Sequence, residues 1–259
     1  MPCSPGPDSR LFSPEHRILV TGASSGIGRA IALRCNALGA TVIANGRNEE
    51  RLRETKNRAT NPNAFLIEAR DLILDMEVLP GWVTRLREQY GKLGGFVHAA
   101  GEGLTAPLGL YDLAVSRALF DIHVHAPILL AKGFADRRNN IGPGSAMVFL
   151  ASASAVLPPR GKLAYASAKS ALITAAKCAA RELAPQAIRV NSIAPALVET
   201  PMVEGYKELL GQESFDAELA QYPLGIGKPE DIASTACFLL SEKARWITGQ
   251  NIVMDGGRY

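Results

Sequence analysis

Three side chains in the second half of the sequence, Ser152, Tyr165 and Lys169, have types and spacings that suit proton transfer to a carbonyl oxygen. Tyr165 and Lys169 lie four residues apart in a stretch that predicts one long helix, so both project from nearly the same face. Ser152 closes the apolar run AMVFLAS, which predicts a buried strand, at the edge where open α/β sheets bind ligands. A phenol beside an ammonium group and a hydroxyl can exchange a proton with a carbonyl/alcohol pair.

The elements that must position these groups alternate along the chain from residue 17 onward. Predicted strands are RILVTG, ATVIANGR, AFLIEA, GGFVHAAG, AMVFLAS, IRVNSIAP and GQNIVMDGG, and predicted helices are 26–38, 49–59, 77–90, 112–137, 161–184 and 229–240. Most strands are apolar throughout, as expected when helices cover both faces of a parallel sheet. The order predicts one α/β domain over residues 17–259, a Rossmann-type, doubly wound sheet of seven parallel strands.

Two segments lie outside this alternation. Residues 1–16 are rich in Pro, Ser and Gly and are predicted to form a flexible N-terminal arm. Residues 195–228 follow a strand end and contain no strand pattern, so they are predicted to be an insertion that acts as a lid or specificity loop. The alternative is a surface excursion that packs on itself.

Composition and charge narrow the class of protein. With 259 residues, 47% of them apolar, and a net charge of +3 spread along the chain, no basic block indicates a nucleic-acid or membrane partner. The N-terminus lacks the apolar core of a secretory signal, and no run of eighteen apolar residues occurs. Four widely spaced cysteines, three of them (Cys35, Cys178 and Cys237) in apolar helical patterns, favour buried free thiols and a cytoplasmic location.

A glycine-rich turn follows the first predicted strand and precedes the first predicted helix. Such a turn brings backbone amides of a helix N-terminus close to a pyrophosphate. Its spacing is GxxxGxG rather than GxGxxG, and glycine turns also arise for packing, but the position at the first βα junction favours a dinucleotide. The candidate contacts are Gly22, Ser24, Ser25, Gly26, Ile27 and Gly28.

The end of the second strand bears on which dinucleotide binds. It reads Asn45-Gly46-Arg47-Asn48, without the carboxylate that would bind the ribose diol of NAD. The Arg47 guanidinium could instead hold a 2′-phosphate, with hydroxyl groups of Ser24 and Ser25 nearby. NADP(H) is therefore favoured and NAD(H) remains possible. The alternative for Arg47 is a solvated charge at a helix start.

Ordered motifs spread from residue 17 to the end of the chain resemble one family. They are TGASSGIG, Asp71-Leu72, HAAG at 98–101, Ser152 with YASAK, NSIAP at 191–195, ETPM at 199–202 and MDGG. Together they resemble the compact form of the short-chain dehydrogenase/reductase family, most of all its 3-oxoacyl thioester reductases and small-alcohol dehydrogenases.

The resemblance implies roles for the matching residues. Tyr165 would be the general acid/base, Ser152 would hold the substrate oxygen, and Lys169 would bind the nicotinamide ribose and lower the pKa of Tyr165. It also implies further cofactor contacts from Asp71, Leu72, Ala99, Ala100, Gly101, Pro195, Val198 and Thr200, together with Tyr165 and Lys169. Helices 112–137 and 161–184 would form the subunit interfaces of a homodimer or homotetramer.

Two histidines depart from the family pattern. His123 stands where the family commonly has a catalytic Asn that retains a water, and His98 replaces an Asn with a strand-bracing hydrogen bond. His123 is a candidate catalytic residue, and the alternative for each histidine is an imidazole satisfied by hydrogen bonds. His123 and His125 are two residues apart on a predicted helix and no third ligand is evident, so no metal site is predicted.

The expected activity is interconversion of a ketone and a secondary alcohol with NADP(H). Two alternatives remain at this point: an NAD-dependent dehydrogenase of a sugar, steroid or other secondary alcohol, and a nucleotide-binding sensor that has lost catalysis. The expected substrate is a small molecule. The sequence specifies neither its identity nor the direction of the reaction.

Overall fold

A seven-stranded parallel sheet forms the centre of the protein, and the computed structural model describes residues 11–258. The strands run in the order β3-β2-β1-β4-β5-β6-β7, and every neighbouring pair is parallel. They are β1 (Arg17–Thr21), β2 (Thr41–Gly46), β3 (Phe65–Ala69), β4 (Leu93–His98), β5 (Ala146–Leu150), β6 (Arg189–Pro195) and β7 (Asn251–Met254). The predicted doubly wound sheet is confirmed, and its direction of progression reverses between β1 and β4, where such sheets open a crevice for ligands.

Helices cover both faces of the sheet. Those described are α1 (Gly26–Ala37), α2 (Glu49–Asn57), α3 (Leu79–Tyr90), α4 (Leu113–Phe120), α5 (Ala126–Ala135), α6 (Leu163–Leu183), α7 (Pro201–Leu210), α8 (Gln212–Leu219) and α9 (Pro229–Leu240). Helices α1 and α9 bury their apolar sides in one core layer, and α3, α5 and α6 in the other. Successive residues of β1 alternate between the layers, since Ile18 and Val20 join the first and Leu19 the second.

The single helix predicted over 112–137 is interrupted. A π-helical turn at Asp121–His125 separates α4 from α5. By length and composition the helical stretch Leu113–Ala135 could cross a membrane, a test that core helices of globular proteins also meet. In this fold α5 buries Leu130 and Phe134 in the core layer that it shares with α3.

The two segments outside the predicted alternation also have structure. The amides of Leu11 and Phe12 both donate to the carbonyl of Leu38, and Phe12 is buried, so the end of the predicted arm packs against the end of α1. Residues 1–10 lie outside the described residues. The predicted insertion 195–228 contains α7 and α8, and two of its own side chains, Phe215 and Tyr222, are buried.

Candidate active site

Ser152, Tyr165 and Lys169 meet where β5 ends and α6 begins. Ser152 follows β5 by two residues and is buried, and Tyr165 and Lys169 stand in the first two turns of α6. Lys169 is buried and its Nζ donates to the carbonyl oxygen of Leu150 at 2.6 Å, which ties the helix to the strand end. The same Nζ lies 5.8 Å from the centroid of the Tyr165 ring.

Burial dominates the electrostatics of these groups. It raises the pKa of Tyr165, and the hydrogen bond with Ser152 opposes that rise. Burial also lowers the pKa of Lys169 to about 7. In the protein alone the pKa of Tyr165 therefore moves opposite to the lowering predicted from the resemblance. The reason is that burial of the phenol itself disfavours the phenolate more than the hydrogen bond with Ser152 favours it.

His123 is buried in the π-helical turn and faces Tyr165. The two rings meet edge to face, with centroids 5.5 Å apart and an interplanar angle of 85°. His123 Nε2 lies 2.9 Å from the carbonyl oxygen of Glu102, so this nitrogen carries the proton and donates it. Burial holds the pKa of His123 well below its usual range, so the ring is neutral. Its Nδ1 is a buried acceptor without a hydrogen-bond partner among the described residues.

The position of the His123 ring explains why residue 101 is glycine. A Cβ added at Gly101 would lie 2.1 Å from Cε1 of His123, closer than any real contact. His125, two residues further on, is exposed, so the two imidazoles do not converge.

His98 braces the carboxyl ends of β1 and β4. Thr21 Oγ1 accepts from the amides of Ala99 and Ala100, so its proton goes to His98 Nδ1, 3.1 Å away. His98 Nε2 in turn donates to the carbonyl oxygen of Ile122 at 3.0 Å. The imidazole thus connects the sheet edge to the π-helical turn that carries His123.

Acid is expected to destabilise the protein through His98. Burial lowers the pKa of His98 from 6.5 to about 3. Between these two pH values His98 is therefore protonated in the unfolded chain and neutral in the folded protein. The free energy of unfolding should fall as the pH falls towards 3, by roughly 2 kcal/mol between pH 7.5 and pH 5 from this group. Urea unfolding at these two pH values measures that difference, and the free energy of unfolding of His98→Asn should change less with pH than that of the wild type. His125→Asn, at an exposed position, is the control and should keep the wild-type dependence; equal slopes for all three proteins would contradict the assignment.

A cleft of about 460 Å³ opens at the reversal point of the sheet. It is lined by thirteen of the residues predicted to contact a cofactor, namely Gly22, Ser24, Ser25, Gly26, Ile27, Gly28, Arg47, Asp71, Leu72, Ala99, Ala100, Gly101 and Thr200. The other four, Pro195, Val198, Tyr165 and Lys169, do not line it. The side chain of Val198 is buried, so this residue could contact a ligand only through its backbone.

The glycine turn packs too closely for side chains. A Cβ on Gly28 would lie 2.2 Å from the carbonyl oxygen of Gly22. Gly22 itself has φ +68° and approaches the backbone of Ala99. Both glycines therefore let β1, α1 and the segment after β4 meet at the floor of the cleft.

Sequence reasoning missed two cations of this cleft. Arg51 of α2 and Arg70 after β3 line it together with Arg47. Arg47 Nη2 forms an ion pair with Glu102 Oε1 at 2.7 Å. The sequence signal that could have identified them is their position, since Arg70 directly follows a strand and Arg51 lies in the first turn of a helix.

A second cavity of about 400 Å³ has Ser152 and Tyr165 in its wall. It shares three lining residues, Gly103, Pro201 and Met202, with the cleft at the reversal point of the sheet. Tyr206 of α7 and Tyr222 line it as well. Three further charged residues were not singled out from the sequence: Lys162, Glu218 and Arg258.

The fold and the cleft define a Rossmann-type protein with a dinucleotide-binding topology. The family model described as enoyl-(acyl carrier protein) reductase matches residues 22–258. The chain belongs to the short-chain dehydrogenase/reductase family and is an oxidoreductase.

Individual relatives cover almost the whole chain. A 3-oxoacyl-(acyl-carrier-protein) reductase of Thermotoga maritima is 31% identical over 251 residues, which is 92% of this chain and 96% of that protein. An L-xylulose reductase of Caenorhabditis elegans is 31% identical over 94% of this chain and 95% of its own length. A crystal structure of a short-chain dehydrogenase/reductase (glucose/ribitol dehydrogenase) from Brucella melitensis superposes with a TM-score of 0.88 at 29% identity and covers 96% of this chain and 99% of that one.

Proposed function

We propose that the protein interconverts a ketone and a secondary alcohol with NADP(H), with Tyr165 as the general acid/base. The observation that supports this most is the junction of the two cavities. Tyr165 and Ser152 stand in the wall of the smaller cavity, and Gly103, Pro201 and Met202 line both that cavity and the cleft built around the glycine turn. A carbonyl compound bound there would lie beside both the phenol and the cofactor.

Each catalytic side chain then has a distinct task. In the direction of reduction, Tyr165 Oη gives its proton to the carbonyl oxygen, and Ser152 Oγ holds that same oxygen by a hydrogen bond. The Lys169 ammonium lies 5.8 Å from the Tyr165 ring and favours the phenolate that results. His123 Nδ1, an acceptor without a partner among the described residues, would hold a water that returns a proton.

The cleft fits a dinucleotide. The turn Gly22–Gly28 lines the cleft, and α1 begins there, so the amides of its first turn are available to a pyrophosphate. The cofactor, when bound, supplies or accepts the hydride. The protein's part is to hold it, through the glycine turn at the pyrophosphate and Asp71 and Leu72 at the adenine.

Three arginines support the phosphorylated cofactor. Arg47, Arg51 and Arg70 line the part of the cleft that follows β2 and β3, where a 2′-phosphate would lie, and β2 ends without a carboxylate. NAD(H) has one specific observation in its favour, because Glu102 brings a carboxylate to Arg47 and could accept hydrogen bonds from the ribose diol.

Arg47→Gln is expected to weaken NADPH binding by about 10- to 100-fold, the value of one charge-assisted phosphate contact, and to leave NADH binding nearly unchanged. Fluorescence titration with each reduced cofactor measures both affinities. The control is Arg53→Gln on α2, which also breaks an exposed arginine–glutamate pair, that with Glu49, but lies outside the cleft. Equal losses for the two cofactors would contradict a phosphate contact.

The activity itself is tested with a panel of ketones under NADPH and NADH. We expect oxidation of NADPH, followed by its absorbance, with at least one ketone class. Absence of turnover with every ketone and with the corresponding alcohols would contradict the proposed function and favour a nucleotide-binding sensor.

The exposed apolar residues Leu113, Val115 and Leu163 on α4 and α6 support the predicted homodimer or homotetramer, because a second copy would remove them from water. Cys35 and Cys237 are buried free thiols with Sγ atoms 3.5 Å apart, which supports a reducing, cytoplasmic location. Cys178, predicted to be buried, is exposed on α6.

A further inference from the structure

Lys162 places an uncompensated positive charge beside the candidate catalytic phenol. It precedes α6, and its Nζ lies 5.6 Å from the ring centroid of Tyr165 and 4.8 Å from that of Tyr206. Among residues 11–258, no carboxylate lies within ion-pair distance of this ammonium and no acceptor hydrogen-bonds to it. Lys162 lines the same cavity as Tyr165 and Ser152.

The other charges of this cavity compensate one another. Arg258 Nη1 donates to Glu218 Oε1 and to Tyr222 Oη, each at 2.6 Å, and Tyr206 Oη donates to the second Glu218 oxygen at 3.2 Å. Glu218 also attracts Lys162 at longer range, yet its two oxygens are engaged by Arg258 and Tyr206. Among the residues of 11–258 that line the cavity, one carboxylate faces two cations, and Lys162 carries the excess positive charge.

A ligand that fits this cavity should match that charge. Burial makes the ammonium harder to sustain without a partner, and it lowers the pKa of Lys162. A bound carboxylate would supply the partner through a charge-assisted hydrogen bond. Leu197, Met202, Val203 and Leu209 supply apolar surface in the rest of the wall.

We infer that the substrate is a keto acid whose carboxylate binds Lys162, with its carbonyl at Tyr165 and Ser152 and an apolar remainder along α7. This assignment rests on the proposed function and specifies its substrate class. Because the ammonium lies 5.6 Å from the centroid of the Tyr165 ring, a ligand that contacts both side chains needs only a few bonds between its carboxylate and its reacting carbonyl, as in α- and β-keto acids.

The test compares acids with their esters, which differ in charge but hardly in shape near the carbonyl. The probes are 2-oxohexanoate and 3-oxohexanoate and their ethyl esters, each assayed with NADPH at pH 7 in the full chain. We expect the wild type to prefer at least one acid over its ester in kcat/KM. Lys162→Met should lower kcat/KM for that acid by about 10- to 100-fold, chiefly through KM, and leave the ester nearly unchanged.

Two further variants separate charge recognition from other roles of Lys162. Lys162→Arg keeps the charge and should recover most of the activity with the acid. Lys177→Met makes the same substitution at an exposed position of α6 and should behave as the wild type. The pH profile of kcat with the ester should be the same in Lys162→Met and in the wild type.

Distinct results would overturn the inference or the function beneath it. A wild-type preference for the esters, or equal losses on acid and ester in Lys162→Met, would overturn the assignment of a keto acid. A shifted pH profile with the ester would instead make Lys162 a residue that tunes Tyr165, which also overturns it. Failure of the wild type to turn over any of the four probes or any neutral ketone would overturn the proposed function itself.

Discussion

Tyr165→Phe is expected to lower kcat for ketone reduction by about 10²- to 10⁴-fold, the usual contribution of a general acid. The substitution removes only the hydroxyl. The phenyl ring would still pack edge to face with His123 and lie beside Lys169, so the fold and cofactor binding should be retained. Steady-state kinetics, together with NADPH titration of the same preparation, measures the two effects separately.

The matched control is Tyr90→Phe. This substitution also removes a hydroxyl that forms a hydrogen bond, since Tyr90 Oη donates to Glu68 Oε1 at 2.6 Å. Tyr90, however, lies at the end of α3 and lines neither cavity. Its kcat should equal that of the wild type. If Tyr165→Phe turned over ketones as fast as Tyr90→Phe, the phenol would not be the proton donor.

Gly28→Ala is expected to weaken NADPH binding by about 10²-fold, because a displacement of about 1 Å at a binding site has costs of that order. The added Cβ would lie 2.2 Å from the carbonyl oxygen of Gly22, and a backbone oxygen cannot rotate away as a side chain would. The turn must open, and the amides at the start of α1 lose their position toward the pyrophosphate. Isothermal titration and thermal unfolding would show weaker binding and a lower Tm.

Gly81→Ala tests whether any glycine replacement has this effect. Gly81 lies in α3, and a Cβ there would meet nothing within 4 Å. Alanine favours helix over glycine by roughly 0.5–1 kcal/mol, so this variant should be as stable as the wild type or slightly more so. Wild-type NADPH affinity in Gly28→Ala would show that the turn does not hold the cofactor.

Much of the fold was predictable because its signals are local. Each strand is a short apolar run, and the glycine turn and the Tyr165–Lys169 spacing are contained in single segments. Because helices alternate with these strands, and because crossover connections between parallel strands are right-handed, the order of the elements predicts the topology of the sheet. For the same reason the sequence alone predicts that Ser152 and Tyr165 lie near each other at one edge of the sheet.

What could not be predicted depends on contacts between distant segments. Arg258 reaches Glu218 across 40 residues of sequence, and Arg47 reaches Glu102 across 55, so neither pair has a local pattern. The direction of the Tyr165 pKa shift depends on burial by elements that meet only in the folded protein. Lys162 lies within the predicted helix 161–184, and no local pattern indicates that Tyr206 lies beside it in the folded protein.

The π-helical turn also escaped prediction, because its hydrophobic spacing differs from that of an α-helix by one residue. The wide turn takes up its extra residue locally, so α4 and α5 keep nearly the relative orientation of one unbroken α-helix. If one residue were deleted within Asp121–His125, the two helices should join as a single α-helix without a large rotation of either. The bulge that holds the His123 ring against the edge of Tyr165 would be lost, although the sheet stayed intact. A gap of one residue at this point would thus change the surroundings of the proton transfer and leave the fold unchanged.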